Sequence, residues 1–252
     1  MKNCDLLLIT GANGMLGKVL IDHFAKKDKL LILSVDLAKK KEHMHDNELY
    51  YSLDVSSEVG VKKLFRGIEE KFNSSKDISL INLAALSVFE DFETRDKMSF
   101  MRVLEVNLYG TFNMIQNTVK LVRKMTVNSS IINTSSIFAK RSPDERNYID
   151  LNRKNSEVYG ASKAGVEQMT RYFATHLAKY NIRVNCVSPG GILNEKDPQG
   201  PIFQKLYNNK VPMARMGYNE EMIGAYDFLL NNSLSKYVTG QTIHVDGGYT
   251  AW

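Results

Sequence analysis

The sequence predicts an α/β fold, a single doubly wound domain over residues 1–252 with a mainly parallel sheet. Three observations lead there. Short apolar runs alternate with longer segments of 3.6-residue rhythm from end to end, as βαβ units with right-handed crossovers require. No Pro- or Gly-rich linker divides the chain, and the five prolines, Pro143, Pro189, Pro198, Pro201 and Pro212, all lie past its midpoint. At 43% hydrophobic and 24% charged residues over 252 positions, the composition excludes intrinsic disorder and supports a large core.

In chain order, the apolar runs place strands at Leu6 to Thr10, Leu30 to Val35, Tyr50 to Leu53 and Ile78 to Leu83. A helical stripe follows, in which Met101, Leu104, Leu108, Phe112, Ile115, Val119 and Val122 hold one face for six turns. The fifth strand is Ser130 to Thr134. A second stripe, Val166, Met169, Phe173 and Leu177, predicts the helix that starts near Tyr159. Strands at Arg183 to Val187 and Thr242 to Val245 complete the pattern.

Charge and composition narrow the function classes. The net charge is +5, yet the densest basic run, Lys39-Lys40-Lys41, is followed by Glu42 and Asp46 and reads as a solvated face. No nucleic-acid-binding motif accompanies it. No apolar run reaches the ~18 residues of a membrane span, and the apolar stretch near the start is too short for a signal peptide, so a cytoplasmic protein is expected. Cys4 and Cys186 stand far apart with no C-x-x-C pair, which points to small core residues. His43 and His45 have no nearby Cys or further His and read as solvated, so no metal site is expected. Gly160-Ala161-Ser162 lacks the second glycine of a serine-hydrolase elbow.

Two local patterns carry chemistry. Thr10-Gly11-Ala12-Asn13-Gly14-Met15-Leu16-Gly17 follows the first strand at once and opens a helix. Glycines there permit positive φ and close approach of a pyrophosphate, whose charge sits where the helix N-terminus leaves backbone N–H groups unpaired. Asp36 ends the second strand about twenty residues beyond Gly17, the position of a ribose-binding acid in Rossmann-like dinucleotide sites. A 2′-phosphate beside it meets about 3 kcal/mol of repulsion per charge at ~5 Å and an effective dielectric of ~20, so NAD is expected over NADP. The second pattern is Tyr159-Gly160-Ala161-Ser162-Lys163, whose spacing sets a phenol and an ammonium one turn apart on one helix face. An ammonium ~4 Å away supplies about 4 kcal/mol, enough to lower a phenol pKa of ~10 by roughly 3 units.

With these residues in place, the sequence resembles the short-chain dehydrogenase/reductase family over nearly its whole length. Tyr159 and Lys163 match the family's Tyr-x-x-x-Lys, Ser136 in Ile-Ile-Asn-Thr-Ser-Ser-Ile its active-site serine, and Asn107 in Val-Asn-Leu-Tyr-Gly-Thr-Phe its helix asparagine. Arg183 through Gly191 and Thr239 through Gly248 look like its later signatures. The resemblance implies hydride transfer between a nicotinamide and a hydroxyl or carbonyl substrate. Tyr159 would act as acid/base, Ser136 would polarise the substrate oxygen, Lys163 would hold the ribose and lower the phenol pKa, and Asn107 would position a water. It also implies cofactor contacts from Gly11, Asn13, Gly14, Met15, Leu16, Gly17 and Asp36. Asp54 and Val55 would flank the adenine, Asn82 and Ala84 would line the channel, and Pro189 and Gly190 would lie near the nicotinamide, with Ile192 a further contact.

The pattern departs from the family in places. The glycines read G-x-x-G-x-x-G, as in its extended, nucleotide-sugar-modifying branch, and Asn82-Leu83-Ala84-Ala85 replaces Asn-Asn-Ala-Gly. Ile192, Leu193 and Asn194 stand where a Thr is frequent. Ser136 and Tyr159 are separated by an added polar segment, Lys140 to Tyr148, which is expected to form part of the substrate mouth, with Arg141 or Arg146 contacting a polar or anionic substrate. This segment, Gly190 to Asn194 and the terminal Gly247 to Trp252 look similar to oxidoreductases of flagellin modification and nonulosonic-acid synthesis. That likeness implies a sugar or sugar nucleotide of surface-glycan synthesis as substrate. Two alternatives stand beside it: a nucleotide-sugar epimerase or dehydratase retaining its NAD, and a non-catalytic NAD-binding protein. Spare apolar surface on the two long helices implies a homodimer or homotetramer.

Overall fold

The structure, a computed structural model, describes residues 5–39, 43–72, 77–149, 154–194 and 198–252; Cys4, Lys40 and Lys41 lie outside them. Leu- and Ile-rich runs form seven strands, β1 (Asp5–Thr10), β2 (Leu30–Asp36), β3 (Glu48–Ser52), β4 (Ile78–Asn82), β5 (Ser129–Thr134), β6 (Ile182–Pro189) and β7 (Thr242–Val245). They pair in parallel in the order β3-β2-β1-β4-β5-β6-β7. Every expected strand is present, with ends shifted by one or two residues. The central strands are apolar on both sides because a parallel sheet is covered on both faces.

Among the described residues, eight helices do the covering: α1 (Met15–Phe24), α2 (Glu58–Lys71), α3 (Lys97–Leu104), α4 (Thr111–Met125), α5 (Glu157–Leu177), α6 (Pro201–Asn208), α7 (Ile223–Leu230) and α8 (Asn232–Ser235). On one face Leu6, Leu8 and Ile131 pack against Phe65 of α2, Met114 of α4 and Leu177 of α5. On the other, Leu7, Ile9 and Ile132 meet Phe24 of α1 and Tyr226 of α7. No helix among the described residues is long and apolar enough to cross a membrane. Strand order reverses at β1, which pairs with β2 on one side and β4 on the other, and such a reversal opens a crevice beyond the strands' C-terminal ends.

The six-turn stripe is not one α-helix. A π-helical turn, Glu105–Gly110, separates α3 from α4. Its wider turn rotates the face presented to the sheet, so the buried apolar side chains are Val103, Met114, Ile115, Leu121 and Val122, while Met101 is exposed. The core face of this stretch is partly polar, with Asn107, Thr111, Asn113, Asn117 and Thr118 all buried. Apolar periodicity alone therefore marks a flank as well as the core side.

Candidate active site

At the C-terminal end of β1 the chain turns at Gly11, whose φ is +69°, and a Cβ there would stand 2.8 Å from the Ala84 nitrogen. Thr10 explains that proximity: its Oγ1 accepts from the backbone N–H groups of Leu83 and Ala84, both at 3.1 Å, and so stitches the loop after β4 to β1. Gly17 has a different reason, since a Cβ would fall 2.3 Å from the Gly11 oxygen. Gly14 caps α1 with no side-chain hydrogen bond, which leaves the N–H groups of the first turn open to the cleft. A glycine-walled cradle with an uncapped helix N-terminus fits a dinucleotide pyrophosphate.

Asp36 braces this turn. Its Oδ2 accepts from the Asn13 N–H at 2.9 Å and its Oδ1 from the Ala38 N–H at 3.1 Å, while the Asn13 carboxamide donates to the Tyr50 hydroxyl at 3.1 Å. Asp54 is tied further out. Although burial raises its pKa, hydrogen bonds from Ser56 and Arg102 outweigh that and hold the carboxyl below the usual range. Val55 is buried against Gly110, and its carbonyl accepts from Asn113 at 2.9 Å. Asn82 donates to Asn133 at 2.9 Å, Asn133 donates to Thr170 at 2.9 Å, and the Asn82 Oδ1 is buried without a hydrogen-bond partner.

Ser135 and Ser136 follow β5 and diverge. Ser135 donates to Glu167 at 2.9 Å beneath α5, whereas Ser136 lies in hydrogen-bonding reach of the Tyr159 hydroxyl. Ser156 caps α5 by accepting from the Tyr159 N–H at 3.4 Å, which fixes where the phenol enters the cleft. One turn on, the Lys163 amine donates to the Thr134 carbonyl at 2.8 Å and stands 5.7 Å from the Tyr159 ring centroid. Lys163 is not among the groups that shift the Tyr159 phenol, so the expectation that its ammonium dominates that pKa is corrected. Burial pushes the Tyr159 phenol up, the Ser136 hydrogen bond opposes it, and burial lowers Lys163 to about 8. Asn107 is fully buried in the π turn. Its carboxamide donates to the Leu86 carbonyl and to Ser162, both at 3.0 Å, and accepts from the Leu86 N–H at 2.7 Å, which anchors the loop facing the cleft.

These elements enclose a cleft of about 450 Å³. Gly11, Gly14, Met15, Leu16, Gly17, Ser136, Tyr159, Lys163, Pro189, Gly190 and Ile192 line it; Asn13, Asp36, Asp54, Val55, Asn82, Ala84 and Asn107 sit behind its wall or beyond its rim. Gly190 is required by packing, since a Cβ would stand 2.7 Å from the Asp246 Cα. Tyr148 of the added segment, expected at the substrate mouth, lines the cleft, whereas Asn155, Met216, and Phe203 and Tyr207 of α6 were not foreseen. The signal was present, as Gly200-Pro201 opens a helix whose Phe203 and Tyr207 stand one turn apart. Arg141 and Arg146, the expected substrate contacts, do not line the cleft. Arg146 forks onto Asp144 and its side chain is 86% exposed.

A doubly wound parallel sheet with a glycine turn at its switch point and a Tyr-Lys helix across the cleft defines a class of dinucleotide-dependent oxidoreductases. Comparison with known proteins agrees. A family model described as enoyl-(acyl carrier protein) reductase matches residues 30–250. A 3-oxoacyl-(acyl-carrier-protein) reductase of Thermotoga maritima is 33% identical over 96% of this chain and 96% of its own. An NADH-dependent L-xylulose reductase of Ambrosiozyma monospora is 29% identical over 98% of this chain and 95% of its own. The crystal structure of a short-chain dehydrogenase of Leptospira borgpetersenii with bound NAD+ superposes with a TM-score of 0.89 at 33% identity, covering 99% of this chain and 94% of that one. The chain belongs to the short-chain dehydrogenase/reductase family of oxidoreductases.

Proposed function

We propose that the protein, as one dinucleotide-binding domain, transfers hydride between NAD and a secondary alcohol or its ketone on a sugar-type substrate. The observation that carries this is the Tyr159 hydroxyl beside Ser136, with Lys163 one turn behind, across the cleft from the glycine turn. The α1 N-terminus with Gly14, Met15 and Leu16 would hold the pyrophosphate, Asp36 the adenosine ribose, Asp54 and Val55 the adenine, Asn82 and Ala84 the channel, and Pro189, Gly190 and Ile192 the nicotinamide end. The bound nicotinamide supplies or accepts the hydride.

The chain's own groups manage the proton. With its pKa raised by burial, Tyr159 carries its proton at neutral pH and donates it to a carbonyl oxygen during reduction, while Ser136 fixes that oxygen by a hydrogen bond. In oxidation the phenol must first give up its proton. Lys163, one helical turn on, would favour the phenolate so formed. Asn107 sets the loop beneath the substrate through Leu86 and is the residue we assign to the proton-relay water. The Asp36 carboxylate favours NAD, because a 2′-phosphate would be repelled there. A cytoplasmic setting is part of this reading, and the exposed Met98 and Met101 of α3, Tyr109 of the π turn and Tyr172 of α5 support a homodimer or homotetramer.

The test is absorbance of reduced cofactor with purified protein and candidate alcohols. The expected outcome is net accumulation of NADH, with kcat/KM for NAD exceeding that for NADP by at least tenfold and Asp36→Ala narrowing the ratio. An epimerase with retained cofactor would convert substrate without accumulating NADH, and an inert binder would convert nothing.

A further inference from the structure

The cations around the cleft mouth are mostly matched already. Arg146 and Lys210 both meet Asp144, Lys154 meets Asp91 and Glu145, Arg95 is held between Glu90 and Glu157, and Arg215 meets Glu221. Arg141 is exposed and outside the cleft wall. Among the described residues, Lys163 is the one cation lining the cleft, and its amine donates to the Thr134 carbonyl. Among the described residues, a substrate carboxylate or phosphate desolvated here would meet no counter-charge besides Lys163.

What faces Tyr159 and Ser136 is neutral and carries donors and acceptors. Tyr148 and Asn155 both line the cleft, and the Tyr148 ring packs on Phe203 with centroids 5.1 Å apart. The Tyr207 oxygen accepts from the Gly191 N–H at 2.6 Å and keeps its own O–H to donate. Aromatic faces for C–H groups and neutral hydrogen-bonding groups for hydroxyls suit a polyhydroxylated carbon chain. Tyr148 ends the added segment, and Asn155 lies between it and Tyr159.

We propose that the stretch between Ser136 and Tyr159 selects the substrate: Tyr148 and Asn155 recognise the hydroxyls of an uncharged polyol or ketose, and the cleft rejects carboxylated, phosphorylated and nucleotide-linked counterparts. The inference rests on the dehydrogenase reading and narrows it to unphosphorylated substrates. Tyr148 and Asn155 contact substrate hydroxyls remote from the reacting carbon, so they set KM more than kcat.

The test uses the full chain with NAD and a panel of xylitol, L-arabinitol and sorbitol against gluconate, sorbitol 6-phosphate, UDP-glucose and a 3-hydroxybutyryl thioester. The best neutral polyol is expected to exceed every other compound at least tenfold in kcat/KM. Asn155→Ala should raise KM for that polyol about tenfold with kcat within about twofold, Asn155→Gln should recover most of the loss, and Asn155→Lys should improve gluconate relative to polyol. A preference for a charged compound or the thioester overturns the inference and leaves the dehydrogenase reading standing, as does an unchanged KM in Asn155→Ala. If folded, NAD-binding protein reduces no cofactor with any compound, the dehydrogenase reading falls and this inference with it.

Discussion

Lys163 is buried under α5, with a pKa lowered to about 8, so between pH 8 and ~10.5 the unfolded chain holds a proton there that the folded chain has released. Stability contributed at this site therefore rises with pH across that window and is flat below it. Relative to Lys163→Met, the wild type should gain up to about 3 kcal/mol between pH 8 and 10.5 in denaturant titrations; a difference that stays constant with pH would contradict the burial argument. Tyr159 shifts upward for the same reason, so alcohol oxidation should accelerate as pH rises from 7 to 10 while ketone reduction does not. The Tyr159 and Lys163 pair was legible because helix period is local information. The depth at which both are buried was not, because β5 and Ser136 create it from residues more than twenty positions away.

At the scale of elements, the turn from β1 into α1 tests whether its glycines serve backbone packing or the ligand. A Cβ at Gly17 meets the Gly11 oxygen at 2.3 Å and the Ala12 carbonyl carbon at 2.8 Å, while at Gly14 it meets one oxygen at 3.2 Å. Backbone cannot yield as a flexible side chain can. Gly17→Ala should cost about 2–3 kcal/mol, Gly14→Ala less than ~1 kcal/mol, and Gly67→Ala in α2, where nothing lies within 4 Å, should stabilise by about 0.5–1 kcal/mol. Urea midpoints check the ranking, and equal losses at Gly14 and Gly17 would contradict it. The strands and the glycine turn could be read from sequence since each is a short run with its own punctuation. The π turn could not, because one extra residue per turn leaves hydrophobic spacing nearly unchanged while rotating the buried face from Met101 to Val103.

Over the whole molecule, the exposed surface is 13127 Å², above the ~11,000 Å² that a monomer of 28.6 kDa is expected to keep. Met98, Met101 and Tyr109, around the α3–α4 junction, and Tyr172 of α5 contribute to it and mark the flank we assign to self-association. Light scattering should give a dimer or tetramer, and Met101→Glu with Tyr172→Glu should reduce its size without loss of helical signal; a wild-type monomer would refute the assignment. Phe203 and Tyr207 escaped sequence reading as cleft residues because they meet Tyr148 only in the folded chain, where the Tyr148 and Phe203 ring centroids are 5.1 Å apart. Hydride transfer in this cleft is the role we propose for Tyr159, Ser136 and Lys163. It is tested most directly by mass spectrometry of the cofactor after incubation with NAD and carbon-deuterated xylitol, L-arabinitol and sorbitol. Reduced cofactor should carry deuterium and form at least ~100-fold more slowly with Tyr159→Phe. Deuterium absent from the cofactor, or transfer by Tyr159→Phe at the wild-type rate, would contradict it.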